Sequence, residues 1–120
     1  MLSHVPAASV LVIAPDADLR QSLAFVFEAS GFIVRTCTRW PPEYAVGQFD
    51  AIILDEIGVS RELYGDGRLA LLRDKIILLA GRVGPVPAIP HACLVRKPLL
   101  DALLLDLVQA MIAPRIAASR

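Results

Sequence analysis

The sequence predicts a doubly wound α/β domain, in which helices cover both faces of a five-stranded parallel sheet. Short apolar runs of β-type composition alternate with segments of helical periodicity, the pattern of repeated βαβ units. Several of the runs are wholly apolar, as strands are when a sheet is covered on both faces. With 120 residues the chain has the length of one domain. We therefore expect a single domain over residues 1–120, with its core between about residues 9 and 113.

The first half of the chain supplies three strands and a helix. Residues 10–13 form a wholly apolar strand that Pro15 ends, and we expect it to lie in the middle of the sheet. From Asp16 onward, apolar residues recur at helical spacing up to Gly31, which stands where a C-cap is expected. Residues 32–38 predict a second strand, and residues 51–54 predict a third, closed by Asp55 and Glu56.

Trp40 precedes two prolines that force a turn into a short segment near residues 43–48. This tryptophan either plugs a gap in the core or serves as an exposed binding anchor. Residues 63–72 predict a helix, although two glycines weaken its first half.

The second half supplies two more strands and a final helix. Residues 76–80 and 93–96 predict the fourth and fifth strands. Between them, residues 81–90 contain two glycines and three prolines, so a proline-rich loop shortens or replaces the helix expected there. Pro98 suits a helix start, and the last helix is predicted over about residues 99–112.

Composition excludes several classes of function. Lys plus Arg and Asp plus Glu number 12 each, so no basic field favours nucleic acid or an acidic membrane. The apolar stretch from Leu99 is too short to span a membrane, no secretory signal precedes the fold, and a cytoplasmic location is expected. Cys37 and Cys93 lack the spacing of a zinc or redox site, which indicates two buried free thiols.

Charged and small residues mark the carboxyl ends of the strands, where open α/β sheets carry their chemistry. Asp16 follows the first strand, and Asp55 and Glu56 follow the third. Ala80 ends the fourth strand and Lys97 follows the fifth. Glu56 is expected to face solvent or to supply a second carboxylate.

Three segments resemble the receiver domain of response regulators. The strand 10–13 followed by Asp16, Arg20 and Gly31 is similar to the opening of a receiver. The segment 49–55 resembles the strand that carries the phosphoacceptor, and the Lys97-Pro98 dipeptide ends a strand similar to the family's fifth. The resemblance covers nearly the whole chain and implies a flavodoxin-like sheet with strand order 2-1-3-4-5.

The same resemblance assigns roles and also shows departures. It implies that Asp55 is the phosphoacceptor and that Lys97 contacts the phosphoryl group. Receivers hold Mg²⁺ with an acidic pair after the first strand, and Ala14 and Pro15 stand at that pair here. Asp16 and Asp55 are the remaining candidate metal ligands, and Asp16 otherwise caps the first helix. Ala80 stands in place of the Ser or Thr whose hydroxyl contacts the phosphoryl group in receivers.

Two functions follow from these matches and departures. The leading one is a degenerate receiver that signals through protein contact, without normal Mg²⁺-dependent phosphorylation. The alternative is a working phosphoacceptor regulator of a phosphorelay that uses Asp55, with Mg²⁺ as its cofactor. If Asp55 and Lys97 have no role in phosphorylation, we expect them to form a structural salt bridge. A nucleotide-binding module is disfavoured because no glycine-rich loop follows the first strand, and no pairing of nucleophile and base predicts an enzyme.

The last helix predicts an interaction surface. Its apolar arc exceeds the stripe of about 100° that one sheet face requires. We expect the excess to form a surface for a homodimer or for a signalling partner such as a sensor kinase. The residues predicted for this surface are Leu100, Leu104, Met111 and Ile112.

Overall fold

A parallel sheet of five strands forms the centre of the molecule, in the order β2-β1-β3-β4-β5. The computed structural model describes residues 8–40, 42, 46–58, 75–81, 92–96 and 101–118. The strands are β1 (Ser9–Ile13), β2 (Ile33–Cys37), β3 (Ala51–Asp55), β4 (Ile76–Ala80) and β5 (Cys93–Arg96). The predicted strand order and the internal position of β1 are both confirmed.

Helix α1 (Ala17–Ala29) has the two ends that the sequence predicts. Asp16 is the N-cap residue, and its carboxylate accepts a hydrogen bond of 3.2 Å from the Asp18 amide. Gly31 follows the helix with φ +94°, a conformation that residues with a Cβ rarely adopt. The chain then turns directly into β2.

Helix α2 (Asp101–Ala118) begins and ends later than predicted. It continues through Pro114, which the prediction placed outside the helix. Proline removes one intrahelical hydrogen bond, but its fixed φ of about −65° is itself helical.

The two faces of the sheet have separate apolar cores, because side chains alternate between faces along each strand. On one face α1 and α2 cover the sheet, and the buried side chains there come from β1, β3, β4, β5 and both helices. On the other face Trp40 and Phe49 pack against Leu11, Ile13 and the alternate residues of β3 and β4. Trp40 is only 1% exposed, so it is a packing plug and not a binding anchor.

Several predictions concern parts of the chain outside the described residues. These are the helix at 63–72 and the proline-rich loop that follows β4. Neither Cys37 nor Cys93 forms a disulfide, as predicted, but both are half-buried and not fully buried. Among the described residues, no helix is long and apolar enough to cross a membrane. A short 3₁₀ turn, Val46–Gln48, lies in the segment expected before β3.

Candidate functional site

The carboxyl ends of β1, β3, β4 and β5 form one edge of the sheet. The parallel register aligns Ile13 with Leu54, Asp55 with Leu79 and Ala80 with Arg96. Residues that immediately follow these positions are therefore neighbours in space although they are distant in sequence. This edge is where the sequence predicts the chemistry.

Asp55 is the last residue of β3 and is 1% exposed. It is the one buried charged residue among those that the structure describes. Its Oδ1 accepts a hydrogen bond of 3.0 Å from the Ile57 amide, at the start of a 3₁₀ turn (Glu56–Gly58). The carboxylate is thus held in a fixed position at the centre of the edge.

Glu56 is half-buried and bonded across the edge, so the expectation that it faces solvent is wrong. Its Oε1 accepts a hydrogen bond of 2.6 Å from the amide of Gly81, the residue that follows β4. The Gly81 carbonyl in turn accepts a hydrogen bond of 3.0 Å from Nη1 of Arg96 at the end of β5. Glu56, which follows β3, therefore binds the N–H group of Gly81, and Arg96 of β5 binds its C=O group. The two side chains come from the strands on either side of β4.

At the end of β1, the side chain of Arg20 binds the backbone. The Arg20 guanidinium donates from Nη1 to the carbonyl oxygens of Ala14 at 2.8 Å and Pro15 at 3.2 Å. Asp16 is exposed, and its carboxylate caps α1. The prediction that Asp16 caps the first helix is confirmed.

These residues do not fit a bound Mg²⁺. A hard dication needs several oxygen ligands, and neither Ala14 nor Pro15 has a side-chain oxygen. The carbonyl oxygens of both residues already accept from Arg20, whose positive charge would repel a dication. Within the described parts of the chain, no three His, Cys, Asp or Glu side chains lie close enough to hold a metal ion together.

The structure brings together only part of the predicted phosphoryl site. Asp55 and Ala80 lie at adjacent strand ends, and Ala80 is fully buried with a methyl group in place of a hydroxyl. Lys97 lies outside the described residues, so its proposed contact with Asp55, as a salt bridge or through a phosphoryl group, stays a prediction.

The predicted interaction surface on the last helix is wrong for two of its four residues. Leu104 and Ile112 are 1% and 3% exposed and pack into the core beneath α2. Met111 is half-buried against the same core, and Leu100 lies outside the described residues. The helix buries a wider apolar arc than one sheet face requires because it also packs against α1.

Three residues of the edge have roles that the sequence analysis missed. Glu56, Arg20 and Arg96 each donate to or accept from the backbone of a strand end. For Glu56 a signal was present: in a parallel register, the residue after Asp55 is level with Ala80 and one position from Gly81. The two arginines offered no comparable signal, since an arginine near a strand end is common on protein surfaces.

Sequence comparison finds no relative for this chain. No protein-family model matches it, and no curated protein matches it. Comparison of structures, in contrast, finds many similar chains.

Three solved structures illustrate the similarity of fold. A response regulator receiver protein from Sinorhizobium medicae is 16% identical with a TM-score of 0.68, over 91% of this chain and 97% of that one. A chemotaxis response regulator of Vibrio cholerae is 21% identical with a TM-score of 0.70, over 88% and 99%. The signal receiver domain of a signal transduction histidine kinase from Syntrophus aciditrophicus is 17% identical with a TM-score of 0.66, over 90% and 92%. The chain therefore has the receiver fold.

Proposed function

We propose that this receiver-fold chain is a signalling module that acts through protein contacts, without Mg²⁺-dependent transfer of a phosphoryl group to Asp55. It is not an enzyme, and it works in the cytoplasm as a degenerate receiver of a two-component system. Its partner is a signalling protein such as a sensor kinase, or a second copy of the chain.

The observation that carries this proposal is the end of β1. Phosphoryl transfer to an aspartate needs positive charge that is held in position to stabilise the charge on the phosphoryl oxygens. Here Ala14 and Pro15 stand at the positions of the acidic pair that the resemblance assigns to Mg²⁺, and their carbonyl oxygens accept from the Arg20 guanidinium. The guanidinium supplies charge but no coordination positions that could orient a phosphodonor.

Ala80 supports the same conclusion from the other side of Asp55. Its methyl group cannot donate a hydrogen bond to a phosphoryl oxygen, so phosphorylation would not be reported through this residue. A module that lacks this hydrogen bond must transmit its signal by another means, and the simplest means is the binding of another protein.

Exposed apolar side chains on the two helices support a protein partner. Phe25 on α1 is 73% exposed, beside Ser22 and Val26, and Leu103 on α2 is 48% exposed. Aromatic side chains such as that of Phe25 are enriched in protein interfaces. These residues replace Leu104 and Ile112 as the candidates for partner contact.

Intact-mass spectrometry after incubation with acetyl phosphate and Mg²⁺ tests the proposal. We expect no phosphoryl adduct on the wild-type chain. The matched controls are Asp55→Asn, which removes the acceptor, and Asp106→Asn, which removes an exposed carboxylate on α2. An adduct that Asp106→Asn retains and Asp55→Asn loses would contradict the proposal and establish the alternative, a working phosphoacceptor regulator.

A further inference from the structure

We propose that the Glu56 carboxylate is an internal anionic ligand at this edge of the sheet. It accepts the hydrogen bond of the Gly81 amide and so keeps an external oxyanion from accepting it. The inference rests on the proposed function, because it describes an edge held in one liganded state and not one switched by phosphorylation. It adds a residue that keeps a free oxyanion from this amide, and inorganic phosphate serves as the probe.

The contact has the geometry of a charge-assisted hydrogen bond. At 2.6 Å, the Glu56 Oε1 to Gly81 nitrogen distance is shorter than the usual amide-to-carbonyl distance of about 2.9 Å. The two residues are 25 positions apart, so the bond joins the end of β3 to the end of β4. The bond of Arg96 to the Gly81 carbonyl then fixes the same residue to the end of β5.

The Gly81 amide lies where anions bind in folds of this class. Gly81 follows the last residue of β4, and ligands of parallel sheets gather outside the carboxyl ends of the strands. Backbone N–H groups at such ends bind anions. The preceding residue, Ala80, also occupies the position to which the receiver resemblance assigns a contact with the phosphoryl group.

The strand register explains why Glu56 reaches this amide. Asp55 pairs with Leu79, so Glu56 is level with Ala80, and its side chain spans the one remaining position to Gly81. Because Glu56 is tethered to the edge, its effective concentration at the amide far exceeds that of a free anion. An external oxyanion must therefore displace the carboxylate before it can accept from Gly81.

Nuclear magnetic resonance of the full chain tests the contact directly. In the wild type we expect a through-hydrogen-bond scalar coupling between the Gly81 amide nitrogen and the Glu56 carboxylate carbon. Glu56→Ala should accelerate hydrogen exchange of the Gly81 amide about tenfold or more, as loss of a charge-assisted bond implies. Glu56→Gln, which keeps a neutral acceptor, should give a smaller increase. Asp106→Asn should leave the exchange rate unchanged.

A titration with inorganic phosphate tests the exclusion of a free oxyanion. We expect phosphate to shift the Gly81 amide resonance saturably in Glu56→Ala and not in the wild type or in Asp106→Asn. A response of the wild type equal to that of Glu56→Ala would overturn the proposal, because the carboxylate would then not be filling the amide. The absence of any response in Glu56→Ala would overturn it as well. If Glu56→Ala does not fold, the coupling in the wild type and the titration of Glu56→Gln decide the question.

The two proposals fail on different readouts. A phosphoryl adduct on wild-type Asp55 would overturn the proposed function, whereas the Gly81 amide reports on Glu56 alone. An adduct together with an intact Glu56–Gly81 coupling would refute the first and leave the internal ligand in place.

Discussion

At the scale of single residues, the ends of α1 show how the chain satisfies its backbone. The Asp16 carboxylate accepts from the Asp18 amide, which has no partner within the helix. At the other end, Gly31 allows the turn into β2 with φ +94° and donates its own amide to the Glu28 carbonyl at 3.0 Å. Both residues lie in local contexts that sequence patterns describe well, and both were predicted.

Gly31→Ala should destabilise the domain by about 1–2 kcal/mol. A Cβ at this position would meet no atom within 4 Å, so the cost comes from the left-handed backbone and not from a clash. Chemical denaturation measures the free energy of unfolding. Gly47→Ala is the matched control, because its Cβ also meets nothing and its φ is not positive. Equal effects of the two substitutions would show that backbone conformation is not the cause.

The backbone contacts of Glu56 and Arg20 are also features of single residues, but the sequence does not predict them as readily. Each forms its bond to the backbone of a strand end, and the outcome depends on rotamer and register as well as residue type. The sequence predicts that Glu56 faces solvent or supplies a second carboxylate, and it does not indicate that this carboxylate turns back to Gly81. The position of Asp55 at the carboxyl end of β3, in contrast, followed from the apolar run before it.

At the scale of elements, α2 differs most from its prediction. An apolar arc wider than one sheet face requires predicts a partner surface. In the structure α2 packs both on the sheet and against α1, so Leu104, Val108 and Ile112 are all buried. The distinction between a neighbouring helix and a separate partner lies in tertiary packing, which the periodicity of one helix does not contain.

Neighbouring leucines on α2 allow a direct test of this packing. Leu104→Ala should lower the free energy of unfolding by about 2–5 kcal/mol, since it empties a buried site. Leu103 is 48% exposed, and Leu103→Ala should cost well under 1 kcal/mol. Thermal or urea unfolding of the two variants gives the comparison. A small effect at Leu104 would contradict its place in the core and restore it as a contact residue.

At the scale of the whole molecule, one sheet is shared by two cores. Trp40 and Phe49 pack on the face opposite α1 and α2, and the central strands β1, β3 and β4 contribute side chains to both faces. Loss of the sheet must therefore disrupt both cores together. This sharing is the physical basis for expecting a single cooperative domain over residues 1–120.

Equilibrium unfolding can verify the single domain. The chain has one tryptophan, and Trp40 is buried in the core opposite the helices, so its fluorescence reports on that face. Far-ultraviolet circular dichroism reports on the secondary structure of the whole chain, including α1 and α2 on the other face. We expect the two transitions to coincide in urea, as two-state unfolding requires. Separate midpoints would show that the two faces unfold independently.

The sequence by itself determined the succession of strands and helices, the sheet order through its receiver resemblance, and the place of Asp55 at a strand end. These depend on local signals: apolar runs, capping residues and turn formers act within a few positions of one another. Only the tertiary structure decided that Arg20 binds the carbonyls at the end of β1, that Glu56 binds Gly81, and that Leu104 and Ile112 are buried in the core. Those outcomes join residues from different elements, and the free energy of such contacts depends on distances that exist only once the sheet has assembled.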